Sequence, residues 1–111
     1  MAKIERMLNC DFDYLVEAIE DGILDGNFSA SLEDGSDFYG NSSRCSVRIF
    51  ERYSLFGGNR VSLTVTLYQE DDGYIRLSAI TSGSSKGVVM KLNTIGEETF
   101  LHRLEEVLRQ V

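Results

Sequence analysis

The 111-residue chain contains no proline, where an average protein has about five per cent. Slow prolyl isomerisation is therefore excluded as a folding step. Its two cysteines, Cys10 and Cys45, are too few and too far apart for a zinc motif or a disulfide framework, so two reduced, partly buried thiols are expected. The single histidine, His102, has no cysteine near it in sequence and reads as an exposed or half-packed side chain, not a ligand or a base. No stretch approaches the ~18 apolar residues of a membrane span. The first ten residues carry Lys3, Glu5 and Arg6 among their apolar ones and do not read as a signal peptide. The expectation is a cytoplasmic protein with no membrane partner.

Positive charge is also scarce. Eleven basic residues against eighteen acidic ones leave a net charge of -7. That field repels phosphate backbones at long range and sets nucleic acid aside as a partner. What is present is globular: 42% hydrophobic and 26% charged residues, in the length of one ordinary domain.

Hydrophobic periodicity orders the chain. Residues 2–8 read as a short strand with Ile4 and Leu8 on one face. Asp11 is a good helix N-cap, and Phe12, Leu15, Val16, Ile19 and Ile23 recur at helical spacing, giving a helix over 12–22 that Gly22 and Gly26 would end in a left-handed turn. From Asn27 the period becomes two. Phe28, Ala30 and Leu32 form a dry strand face, and 34–43 reads as a turn-rich loop. In strand 44–54, Cys45, Val47 and Ile49 alternate with Arg44, Ser46, Arg48, Phe50 and Arg52, and the first set is read as inward. Gly57-Gly58-Asn59 is a hairpin connection. Strand 60–69 alternates Val61, Leu63, Val65 and Leu67 with Ser62, Thr64, Thr66 and Tyr68. Asp72-Gly73 turns the chain into 74–81, with Ile75, Leu77 and Ala79 inward. SGSSKG (82–87) reads as a hairpin loop, followed by a last strand from Val88 to Leu92. Thr94-x-x-Glu97 has capping-box spacing, and Phe100, Leu101, Leu104, Val107, Leu108 and Val111 stripe a helix over 95–110 with Glu97 off the stripe.

Strands joined by short turns pair antiparallel, and one-sided strands with one-sided helices are simplest to bury by laying both helices on the same face. The fold class is α+β, an antiparallel sheet with two helices on one side, in the order β-α-β-β-β-β-β-α. This order resembles the helix-grip or TATA-binding-protein-like arrangement, in which a sheet wraps a long C-terminal helix, and implies no shared activity. The segments CSVRIFERYS, GGNRVSLTVTL, SAITSGSS and NTIGEETF resemble a family of small bacterial domains of unknown function, found mainly in anaerobic Gram-positive organisms. That resemblance brings no catalytic residues with it.

Two constellations carry the functional candidates. Arg44, Arg48 and Arg52, interleaved with Ser46 and Phe50, joined by Ser62, Thr64 and Thr66 of the next strand and extended by Arg76 and Ser78, form either an ordinary solvated sheet face or a cationic patch for an acidic protein, a small anion or a second copy of the chain. Glu51 shares the parity of Val47 and Ile49, with Tyr53 beyond it. It is either paired with Arg60 across the hairpin or set at the mouth of a pocket under the second helix. SGSSKG lacks the GxxxxGK[ST] pattern leading into a helix, so nucleotide is not expected. No GxSxG elbow, calcium-loop spacing or converging set of titratable groups is present, and no cofactor, metal or catalytic residue is assigned. The chain reads first as a non-enzymatic interaction module and second as a small-ligand carrier with an apolar pocket beneath the C-terminal helix.

Overall fold

The computed structural model describes residues 1–53, 60–83 and 90–111. Its elements are β1 (Ala2–Leu8), α1 (Phe12–Ile23), β2 (Ala30–Tyr39), β3 (Arg44–Tyr53), β4 (Arg60–Gln69), β5 (Ile75–Gly83) and α2 (Met90–Leu108). The strands form an antiparallel sheet in the order β1-β5-β4-β3-β2. Short connections at 40–43 and 70–74 join β2 to β3 and β4 to β5, the second turning at Asp72-Gly73, where Gly73 takes φ 83°. The N-terminal strand closes the far edge by pairing with β5, and α1 carries the chain back across the sheet.

Both helices lie on one face, as the alternation of β4 requires. Val61, Leu63, Val65 and Leu67 of β4 and Ile75, Leu77 and Ala79 of β5 are buried against Phe12, Leu15, Ile19 and Ile23 of α1 and Phe100, Leu101, Leu104 and Val107 of α2. Each of the larger of these side chains removed from water contributes roughly 1.5–3 kcal/mol before chain entropy is subtracted. The Asp11 carboxylate caps α1 by accepting from the Tyr14 amide at 2.9 Å. At the other end the expected left-handed glycine is not used. Leu24 caps the helix with φ -85°, and Gly22 lies inside it. There Gly22 serves packing, because a Cβ would fall on the Val107 side chain of α2.

Several segments differ from their sequence reading. Residues 34–39 are not loop but the second half of β2, paired with 44–49 of β3. Their side chains are exposed on both faces, so no alternation announces the strand, and Leu32 is exposed with them. A bulge between Leu32 and Asp34 shifts the register and reverses the parity of the residues beyond it. Met90–Leu92, expected in a last strand, are the first described residues of α2, so Thr94 lies inside a helix and is not its cap. Glu97, placed off the apolar stripe by the sequence, is only 5% exposed. It accepts from the Thr81 hydroxyl at 3.1 Å and lies 2.8 Å from the Met1 amino group, which is how a buried carboxylate is kept satisfied. The Gly57-Gly58-Asn59 connection, residues 84–87 of the expected loop, and Val88 and Val89 lie outside the described residues.

Candidate functional site

The largest correction concerns β3. Residues directly opposite in an antiparallel pair share a face, and Arg52, Phe50, Arg48 and Ser46 oppose Val61, Leu63, Val65 and Leu67. The arginine parity of β3 therefore points toward the helices. Phe50 is fully buried and Ser46 nearly so, while Cys45, Val47 and Ile49 point to the uncovered side. The expected patch is split. Arg44, Arg48, Phe50 and Arg52 lie beneath or beside the helices, whereas Arg76, Ser62, Thr64, Thr66 and Ser78 lie on the opposite surface.

The physical reason is that α1 offers acids to these arginines. Arg48 Nε lies 3.1 Å from Glu20, and its terminal nitrogen lies 3.1 Å from Asp37 on β2. Gly35 lets that guanidinium cross β2, since a Cβ there would press on the Arg48 stem and on the Val47 carbonyl. Burial alone would weaken the Arg48 cation, but its bonds to Glu20 and Asp37 outweigh this and strengthen it. Asp37 is held below its ordinary range, first by the Ser46 hydroxyl donating at 2.5 Å and then by Arg48. Arg44 reaches Asp13 of α1 at 2.9 Å and stacks over the Phe12 and Tyr39 rings. Arg52 lies over the Phe28 ring, 4.0 Å from its centroid, and burial pushes its guanidinium down. Long aliphatic stems cover the core edge while the heads reach the acids. Arg44 and Arg48 thus hold α1 to the sheet, and Arg52 packs on the segment that follows it.

Glu51 and Arg60 pair across the β3–β4 hairpin at 3.0 Å, one of the two readings of Glu51. The other fails on geometry, because Glu51 and Tyr53 share the uncovered surface and not the side of α2. A shallow groove of about 260 Å³ at Glu51, Arg60, Ser62, Ser82 and Gly83 lies on that surface. Between α1 and the sheet, the gap at Val16, Ile19, Ser46, Arg48, Val65 and Leu67 holds no water-sized void. His102 is exposed and lies 3.2 Å from Glu106, one helical turn on. The two thiols are free and half-buried, and burial raises Cys10. Among the described residues, no group of three His, Cys, Asp or Glu side chains is placed to hold a metal ion, and no helix is long and apolar enough to cross a membrane.

The uncovered sheet face is thus the surface that the residues assemble. Its middle carries Val47, Ile49, Thr64, Thr66, Ser78 and Ile80, with Phe38, Cys45, Tyr68 and Met7 in the row toward one end. Ile80, Met7, Phe38 and Tyr68 are exposed. Its charges sit at the margins and are mostly paired there: Lys3 with Glu5 at 3.8 Å, Glu51 with Arg60, and Arg76 with Asp72 at 3.2 Å. Sequence reading missed Phe38, Val47, Ile49 and Ile80 as members of this surface. The signal available was Asp13 and Glu20, two helical turns apart, which match the spacing of Arg44 and Arg48 along a strand to within a few ångström.

The model of the family described as "Family of unknown function (DUF6054)" matches residues 1–111. The chain belongs to this family. No curated protein matches it. Among solved structures it is similar to hypothetical protein jhp0584 from Helicobacter pylori, with a TM-score of 0.54 at 8% identity, over 96% of this chain and 83% of that one. At that identity the DUF6054 chain shares with it the fold alone.

Proposed function

We propose that this chain is a non-enzymatic interaction module that binds through the uncovered face of its sheet. The observation that carries this reading is the division of the sheet. One surface is sealed by both helices and held by arginine–carboxylate pairs, and the other keeps apolar side chains at its centre and ion pairs at its margins. An uncharged centre inside a polar rim is the anatomy of a recognition surface. Photo-reactive p-benzoylphenylalanine placed at Tyr68 or Ile80 should form protein adducts in cells, and the same probe at Glu17 or Glu98 on the helix side should not. Adducts from the helix side alone, or from neither side, would refute the reading.

A small-ligand carrier is the second reading. A groove of about 310 Å³ beside α2, lined by Asp25, Asn27, Phe28, Thr99, His102, Arg103 and Glu106, favours it. Native mass spectrometry of the purified chain should then show a bound small molecule, and a clean unliganded mass would remove it. In both readings the chain is taken as a cytoplasmic bacterial domain of helix-grip kind. The strand order 1-5-4-3-2 with a long C-terminal helix across it supports that likeness.

A further inference from the structure

Resting on that reading, we infer that the partner is a second copy of this chain, laid sheet against sheet about a two-fold axis. Charge is the first argument. The chain carries -7 overall, so two copies repel over most of their surfaces. The uncovered face is different: its middle carries no charged side chain, and the charges of both signs lie at its margins. Its centre is the broad surface on which an identical acidic molecule can approach with that cost reduced.

Area is the second argument. Five strands spaced about 4.8 Å apart and mostly eight to ten residues long present a rectangle of about 24 by 30 Å, roughly 700 Å². Two such faces bury roughly 1,400 Å² in total, within the range of stable, specific interfaces. The third argument is the state of the marginal charges. A foreign acidic partner is recognised through cations left unpaired, and here Lys3, Arg60 and Arg76 already have carboxylates within 4 Å. What the face offers is an apolar middle that complements its own copy under two-fold symmetry.

The test is sedimentation of the full chain from roughly micromolar to roughly millimolar concentration. The wild type should show a mass twice 12.5 kDa. Ile80→Glu and Thr64→Glu should each weaken association by roughly a hundredfold, since a two-fold axis brings two like charges together in a desolvated interface. Circular dichroism confirms that each variant is folded, and Glu17→Lys on the helix side should leave the dimer intact. A monomeric wild type, or a dimer untouched by both face variants, overturns the inference. A monomer whose Tyr68 and Ile80 probes still capture a different protein sinks self-association alone. A dimer insensitive to the face variants, with adducts only from Glu17 or Glu98, sinks the open-face reading as well.

Discussion

Replacing Arg48 with methionine tests the assignment of faces more sharply than any other single change. Methionine keeps most of the aliphatic stem, so little cavity is created, and the loss is electrostatic. The variant leaves Glu20 on α1 and Asp37 on β2 without their shared cation, and removes donors to the Val47 and Ser36 carbonyls. Breaking a fully buried pair costs about 3–5 kcal/mol. Here the Glu20 and Asp37 side chains keep 30% and 38% of their exposure, so water repays part of the loss and about 1 kcal/mol for each is appropriate. The expected destabilisation is about 2 kcal/mol, or about 8 °C in Tm for a chain of this size. Urea and thermal unfolding at neutral pH, followed by circular dichroism, would measure it. The control is Arg76→Met on the uncovered face, expected to cost under about 0.5 kcal/mol. Equal, small effects at both positions would refute the placement of the β3 arginines beneath α1. The pH dependence adds a second check. Asp37 is held below its ordinary value of 3.8 in the folded chain, so its contribution is complete above that pH and fades as pH falls through the folded value. The gap between wild type and Arg48→Met should accordingly narrow in acid.

Gly22→Ala should destabilise by about 1–3 kcal/mol through overpacking on Val107, although glycine to alanine in a helix ordinarily stabilises by about 1 kcal/mol, and adding Val107→Ala should recover much of the loss. Ser29 is the described non-glycine residue with positive φ, at 62°. Ser29→Gly should therefore raise stability by up to about 1 kcal/mol in urea titration, and a loss would count against a strained backbone there. Thr81→Val removes the hydroxyl that donates to buried Glu97, and should cost about 1–2 kcal/mol by the same measurement.

The strands with one clearly apolar parity were legible from the chain itself. Val61 to Leu67 and Ile75 to Ala79 alternate without ambiguity, and their burial agrees with that alternation. The Asp11 cap and the stripe of α1 were equally clear. What misled was β3, where both parities carry apolar residues. Val47 and Ile49 are as hydrophobic as Phe50, and only the register with β4 decides which set is covered. A row of arginines looks solvent-facing unless the acids of a helix over 20 residues away are known to lie above it. Residues 34–39 failed for a related reason. An edge strand exposed on both sides has no hydrophobic period, and glycine and aspartate read as turn. The candidate surface inherited both errors, since Phe38 lay in the supposed loop and Ile49 in the supposed core.

The extra residue near Glu33 has a consequence for assembly. A strand bent by such an insertion, with Glu33, Asp34 and Asp37 along it, makes a poor template for another strand to hydrogen-bond alongside. Lateral growth into fibres is disfavoured at that border, so the pairing inferred above would close face to face and not propagate edge to edge.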